Sequence, residues 1–211
     1  MSQLKKAKKR ALQYVVEANM ARAEKKEVLP VILLGNEAGE IELNFNTAGL
    51  EDMAADMVRL LAARLGANYA LIGGEAFTGK FAISEKGVPI VPKDFEPEED
   101  QIQIFLCIET RNEEDCITIL DPKDGVFPTE FVWKPHDRKR PAVSIDGGLI
   151  DLIPPLDVVA NCQDTISLEG LLSSGQNAGL YERISIDEGM GTWMRKDELL
   201  RAARPDPGAA N

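Results

Sequence analysis

The chain has 211 residues, of which 44% are hydrophobic and 28% charged, and this composition is typical of globular proteins rather than disordered chains. The net charge is −11, and an acidic surface repels nucleic acids and anionic membranes. The apolar runs are far shorter than the ~20 residues of a membrane-spanning helix, and three cysteines without CxxC spacing argue against a disulfide framework and a zinc site. We therefore expect a cytoplasmic protein without membrane contact.

Residues 1–26 differ from the rest of the chain in charge. They carry eight Lys or Arg against two Glu, a balance of +6, and leave −17 on the other residues. Residues 4–26 lack Gly and Pro, and their apolar side chains recur at helical spacing, which predicts a long N-terminal helix. The narrow apolar stripe of this basic amphipathic arm consists of Leu12, Val15, Val16, Met20 and Ala23.

The first four side chains of this stripe form a candidate interaction face. A stripe of this width is too apolar to be left bare. It packs on the acidic remainder of the same chain, on a protein partner or a second copy, or on nucleic acid. The sequence leaves these three alternatives open.

Residues 27–121 carry the strongest periodic patterns and are predicted to form an α+β core domain. Alternating apolar residues indicate strands, and a period near 3.6 indicates a helix. The predicted elements are a hairpin of strands 28–34 and 40–46, a helix at 50–65, a connecting strand at 69–72 and a second hairpin of strands 101–109 and 116–120. We expect one shared core that contains Leu43, Phe45, Met57, Leu61, Ile104 and Leu106.

This order of elements predicts a mainly antiparallel sheet with helices on one face. In element order it resembles the roadblock and longin domains of small regulatory dimers, over about half of the chain. Residues 122–203 show weaker patterns with several turns, and we predict an irregular β-rich extension packed on the core. Residues 204–211 contain two prolines and small side chains, which predicts a disordered tail.

A phosphate-loop pattern occurs at residues 74–80, where Gly74 and Gly79–Lys80 match GxxxxGK. The next residue is Phe81, whereas the Mg²⁺-binding loop has Ser or Thr there, and the following residues do not predict a helix. We therefore expect no nucleotide and no other cofactor.

His136 is the only histidine of the chain and lies in a basic stretch between two prolines. A proline-bracketed charged stretch predicts an exposed loop, whereas a catalytic imidazole needs a cleft and an orienting partner. The stretch is instead a candidate anion-binding patch. Its residues are Lys134, His136, Arg138, Lys139 and Arg140.

Carboxylates are the remaining candidates for chemistry. Asp146, Asp151 and Asp157 flank a Gly-Gly pair, and Glu75 follows another. We take Glu75, Asp146 and Asp151 as candidate catalytic residues of a small carboxylate-dependent hydrolase or transferase. The leading hypothesis is nevertheless a non-catalytic interaction or regulatory protein that acts through protein–protein contacts. Nucleic-acid binding by the arm is the third hypothesis, and the net negative charge of the remaining residues argues against it.

Overall fold

The computed structural model describes residues 2–45, 51–77, 82–83, 89–90, 102–120, 132–136 and 151–202. Five helices and nine strands lie in these ranges. In chain order they are α1 (Gln3–Ala23), β1 (Val31–Gly35), β2 (Glu40–Phe45), α2 (Glu51–Leu65), β3 (Tyr69–Phe77), β4 (Ala82–Ile83), β5 (Pro89–Ile90), β6 (Ile102–Thr110), β7 (Cys116–Leu120), β8 (Lys134–Pro135), α3 (Leu156–Thr165), α4 (Leu168–Asn177), β9 (Tyr181–Ile186) and α5 (Glu188–Ala202).

Seven of the strands form an antiparallel sheet in the order β8-β7-β6-β3-β1-β2-β9, and β4 pairs with β5. Both predicted hairpins are present, since β1 pairs with β2 and β6 pairs with β7. The connecting strand β3 lies between β1 and β6. The predicted α+β class, antiparallel sheet and long N-terminal helix are therefore confirmed.

The sheet is covered by helices on both faces, whereas the sequence predicted helices on one. Ile32 and Leu34 of β1 pack in a cluster with α2 and α4, and Leu33 between them packs in a cluster with α1. Successive side chains of a strand point to opposite faces. Because β1 is buried on both faces, each face needs its own cover.

The expected single core is accordingly divided into two layers. Leu43, Phe45 and Leu61 lie in the α2 layer, and Met57 packs against it partly buried. Ile104 and Leu106 lie in the α1 layer. All six side chains except Met57 are buried, but the sheet separates them.

Strand β3 continues through Gly73 and Gly74 to Phe77, beyond the predicted strand at 69–72. A Cβ on Gly73 would lie 2.9 Å from Cε1 of Tyr14 in α1. The glycine is therefore required by the close approach of α1 to the sheet, as glycines in strands often are.

Residues 151–202 are mainly helical, which differs from the predicted β-rich extension. They form α3, α4 and α5, and β9 adds an edge strand beside β2. Ser167 caps α4, because its Oγ accepts the Gly170 N–H at 3.1 Å. A helix therefore begins at this point of the segment that was predicted to be β-rich. The predicted tail at 204–211 lies outside the described residues.

Candidate functional site

Helix α1 packs on the chain's own sheet, which is the first of the three alternatives for the arm. Its buried side chains are small: Ala7, Ala11, Val15 and Ala18. Of the predicted interaction face, only Val15 lies in this buried row. Leu12 and Val16 are partly buried, and Met20 is 54% exposed.

Two arginines of α1 face the acidic body. Arg10 is 3.0 Å from Glu40 and 2.7 Å from Glu42 of β2. Arg22 donates from Nε and Nη2 to Oε1 of Glu75 at 2.7 and 2.5 Å. Glu75, a candidate catalytic carboxylate, is therefore held in an ion pair with α1.

The polar side chains of β2 form hydrogen bonds or ion pairs with α1, β3 and β9. Tyr69 OH donates to Glu40 Oε1 at 2.5 Å, and Arg183 of β9 donates to Asn44 Oδ1 at 2.9 Å and to Glu42 Oε1 at 3.2 Å. Burial and the Glu40 carboxylate raise the pKa of Tyr69. Arg10 of α1 and Arg183 of β9 therefore cover the polar side chains of β2.

Glu109 of β6 is a fully buried carboxylate that the sequence did not single out. It accepts the backbone N–H groups of Asp151 and Leu152 at 2.7 Å and of Ile153 at 3.3 Å. Arg111 donates to the Pro154 carbonyl at 2.7 Å and to the Ala67 carbonyl at 2.8 Å. Together Glu109 and Arg111 hold the backbone of residues 151–154 against the end of the sheet.

The candidate carboxylates do not converge. Asp151 lies beside Glu109, and Glu109 pairs with Ala70 in β3. Glu75 lies five residues further along β3, which corresponds to roughly 17 Å. Asp146 lies outside the described residues. Within the described ranges, no group of three or more His, Cys, Asp or Glu side chains is placed to hold a metal ion.

His136 is buried, which corrects the prediction of an exposed loop. Its backbone N–H donates to the Asp115 carbonyl at 2.9 Å, because the short strand β8 pairs with β7. Neither ring nitrogen has a hydrogen-bond partner among the described residues. Lys134 is exposed, and Arg138, Lys139 and Arg140 lie outside the described part of the chain.

The structure brings the two basic segments of the sequence next to each other. Lys8 of α1 lies with Nζ 5.4 Å from the ring centroid of Trp133, a cation–π distance, and Lys134 is the next residue. Lys5 and Lys9 are exposed on α1. We call the surface of Lys5, Lys8, Lys9, Trp133 and Lys134 the α1–β8 surface.

A cleft of about 250 Å³ lies between α2, α3 and the segment held by Glu109. We call it the α2–α3 cleft. Two apolar side chains of its lining are exposed, Leu60 by 39% and Val158 by 40%, and Leu156, which follows the lining residue Pro155, is 69% exposed. Its lining residues are Arg59, Leu60, Ala63, Asp151, Leu152, Ile153, Pro154, Pro155, Val158 and Cys162.

Two of the cysteines are buried in different layers. Cys107 packs in the α2 layer and Cys116 in the α1 layer, since the register pairs Cys107 with Ile117 rather than with Cys116. Burial raises the pKa of the Cys116 thiol to about 11. These two side chains serve as core filler.

No family model, curated protein or solved structure matches the chain significantly. The similarity to roadblock and longin domains thus remains one of element order. None of the helices in the described ranges combines the length and apolar character needed to cross a bilayer.

Proposed function

We propose that this protein is a non-catalytic interaction protein and that its α2–α3 cleft holds a partner protein. The observation that carries the proposal is the exposure of Leu60 and Val158 in the lining of one concave site, with the exposed Leu156 directly after the lining residue Pro155. Exposed apolar side chains that are scattered singly are ordinary, whereas a contiguous group around a concavity marks an interaction site.

The cleft is slightly smaller than a usual pocket for a small molecule. Pockets for small ligands and cofactors usually enclose about 300 to 1,000 Å³, and the α2–α3 cleft has about 250 Å³. This volume suits one large apolar side chain of a partner. Such an anchor in a dry pocket, surrounded by apolar contacts that exclude water, is the usual centre of a protein interface.

One wall of the cleft is rigid before any partner arrives. Pro154 and Pro155 lie in this wall, and Arg111 donates to the Pro154 carbonyl. Glu109 fixes the three residues before them. A pre-organised wall reduces the entropy lost on association, which strengthens binding without additional contacts.

The separation of the candidate carboxylates also supports this proposal over a hydrolase or transferase. Glu75 is paired with Arg22, and Asp151 lies at the other end of the sheet. The proposed function uses neither side chain.

Site-specific photo-crosslinking tests the proposal. A benzophenone amino acid replaces Leu156 in the cells that produce the protein, and the crosslinked products are identified by mass spectrometry. We expect a discrete protein adduct that disappears when Val158→Asp is added, because a carboxylate in the cleft would have to lose its hydration when an apolar anchor enters.

The matched control places the same photo-crosslinker at Leu199 of α5, which is 72% exposed and does not line the cleft. It should give no such adduct. Absence of a protein adduct at position 156, an equal adduct at 199, or a small-molecule adduct instead would contradict the proposal. Urea unfolding of Val158→Asp checks that the fold persists.

A further inference from the structure

A second surface, built on the helix that covers the other face of the sheet, has the opposite chemistry to the cleft. Lys5 and Lys9 on α1 and Lys134 in β8 are exposed, and Lys8 joins the two elements through its contact with Trp133. The residues beyond position 26 carry a net charge of −17. The α1–β8 surface therefore concentrates positive charge on an otherwise acidic protein, and such a concentration attracts and orients an acidic ligand.

Apolar side chains continue along the same helix. Leu12 and Val16 follow Lys8 at successive intervals of four residues, and Met20 follows them. Residues four apart are neighbours on the surface of a helix. Met20 is more than half exposed, and the other two are partly buried. The surface thus has a basic end and an apolar end.

We propose that the α1–β8 surface and this apolar row bind a short acidic, amphipathic segment of a second protein. The site is separate from the α2–α3 cleft and goes beyond the function proposed above. From Lys5 to Met20 the helix rises about 22 Å, so a helical segment of roughly 15 residues matches its length. Acidic side chains would contact the lysines, and apolar side chains would contact the row that ends at Met20.

Three observations favour a protein segment over nucleic acid. The aromatic ring of the surface, Trp133, is covered by Lys8, whereas single-stranded nucleic acids need open rings on which bases stack. The apolar row offers nothing to a phosphate backbone. Glu114 is exposed on the β6–β7 connection, where a longer polyanion would meet repulsion.

Fluorescence anisotropy with defined probes tests the proposal. The probe is a labelled 15-residue peptide with glutamates in one half and, in the other half, leucines on one helical face. A scrambled peptide of the same composition and an oligo-dT of equal charge are the comparisons. We expect saturable micromolar binding of the amphipathic peptide, at least fivefold weaker binding of the scrambled peptide, and weaker binding at 200 mM than at 50 mM salt because surface charges are screened.

The variant Lys5→Glu/Lys9→Glu/Lys134→Glu should weaken this binding at least tenfold. The matched control is Lys25→Glu/Lys26→Glu/Lys196→Glu, which reverses three exposed lysines elsewhere and gives the same change in net charge. It should bind within about threefold of the unchanged protein.

Equal losses in the two triple variants would overturn the proposal, since net charge alone would then explain binding. So would failure of the peptide to bind, or tighter binding of oligo-dT, which would assign the surface to nucleic acid. Thermal unfolding of both variants separates lost binding from lost folding. Because neither variant touches the α2–α3 cleft, the crosslink at position 156 reports independently on the proposed function.

Discussion

Val15 and Val16 are adjacent in α1 and differ in what they contact, so the pair tests which face of the helix packs on the sheet. Val15 is 2% exposed and lies in the α1 layer with the apolar residues of β3 and β6. Val15→Ala removes two buried carbon groups, which costs about 1.6 kcal/mol of transfer free energy. A residual cavity of about 40 Å³ adds about 1 kcal/mol, and the better helix propensity of Ala returns about 0.5 kcal/mol. The expected loss of unfolding free energy is about 2 kcal/mol.

Val16→Ala is the matched control, because the chemical change and the gain in helix propensity are the same. Val16 is only partly buried and lies outside the buried row, so its loss should remain within about 0.5 kcal/mol. Urea unfolding followed by circular dichroism at 222 nm measures both values, and an unchanged slope shows that the midpoint shift reports stability. An equal or larger loss in Val16→Ala would refute the packing of α1 described here.

Three further predictions concern other parts of the molecule. Leu61→Ala in the α2 layer should cost about 2–5 kcal/mol, whereas Leu199→Ala on the exposed side of α5 should cost less than about 0.5 kcal/mol in the same urea assay; similar costs would contradict the core assignment. The pKa of the Cys116 thiol is raised from about 9 in the unfolded chain to about 11 in the folded protein, so the free energy of unfolding should be highest below pH 9 and should fall as the pH rises from 9 to 11. Urea midpoints across this range should fall less steeply for Cys116→Ala, and parallel curves for the two proteins would exclude a contribution from this thiol. Calorimetric titration with ATP or GTP and Mg²⁺ should show no saturable binding, since Phe81 replaces the metal-binding hydroxyl residue; micromolar binding that is lost in Lys80→Ala would show that the phosphate-loop pattern is functional.

The strongly patterned elements were predictable from sequence because their signals are local. Helix α2 and the two hairpins each show several turns or alternations of one period. Helix α1 was predicted, but its buried row was not, because Ala7, Ala11 and Ala18 contribute little to an apolar stripe. Small side chains allow a helix to pack very close to a sheet, and this kind of burial does not produce a strong hydropathy pattern.

The remaining features depend on contacts between distant residues. Glu109 is one charged residue near the end of an apolar strand, and the backbone N–H groups that stabilise its buried carboxylate belong to residues 151–153. Every residue except proline has a backbone N–H group, so the sequence does not show which of these groups bind a buried carboxylate. Likewise, nothing local to residues 181–186 identifies β2 as their partner, so a short alternating segment there remains ambiguous. The α2–α3 cleft arises only when α2, α3 and the Glu109-held segment come together.

The pairing of Ile41 with Ile186 also determines when strand β2 can complete its hydrogen bonds during translation. Strand β2 leaves the ribosome early, and one of its edges stays unpaired until β9 has been made. Closing such a long loop is slow, and an unpaired strand edge is a template for pairing with other chains. Products that terminate before β9 should therefore aggregate during translation, and the hydrogen bonds between β2 and β9 should be among the last to form.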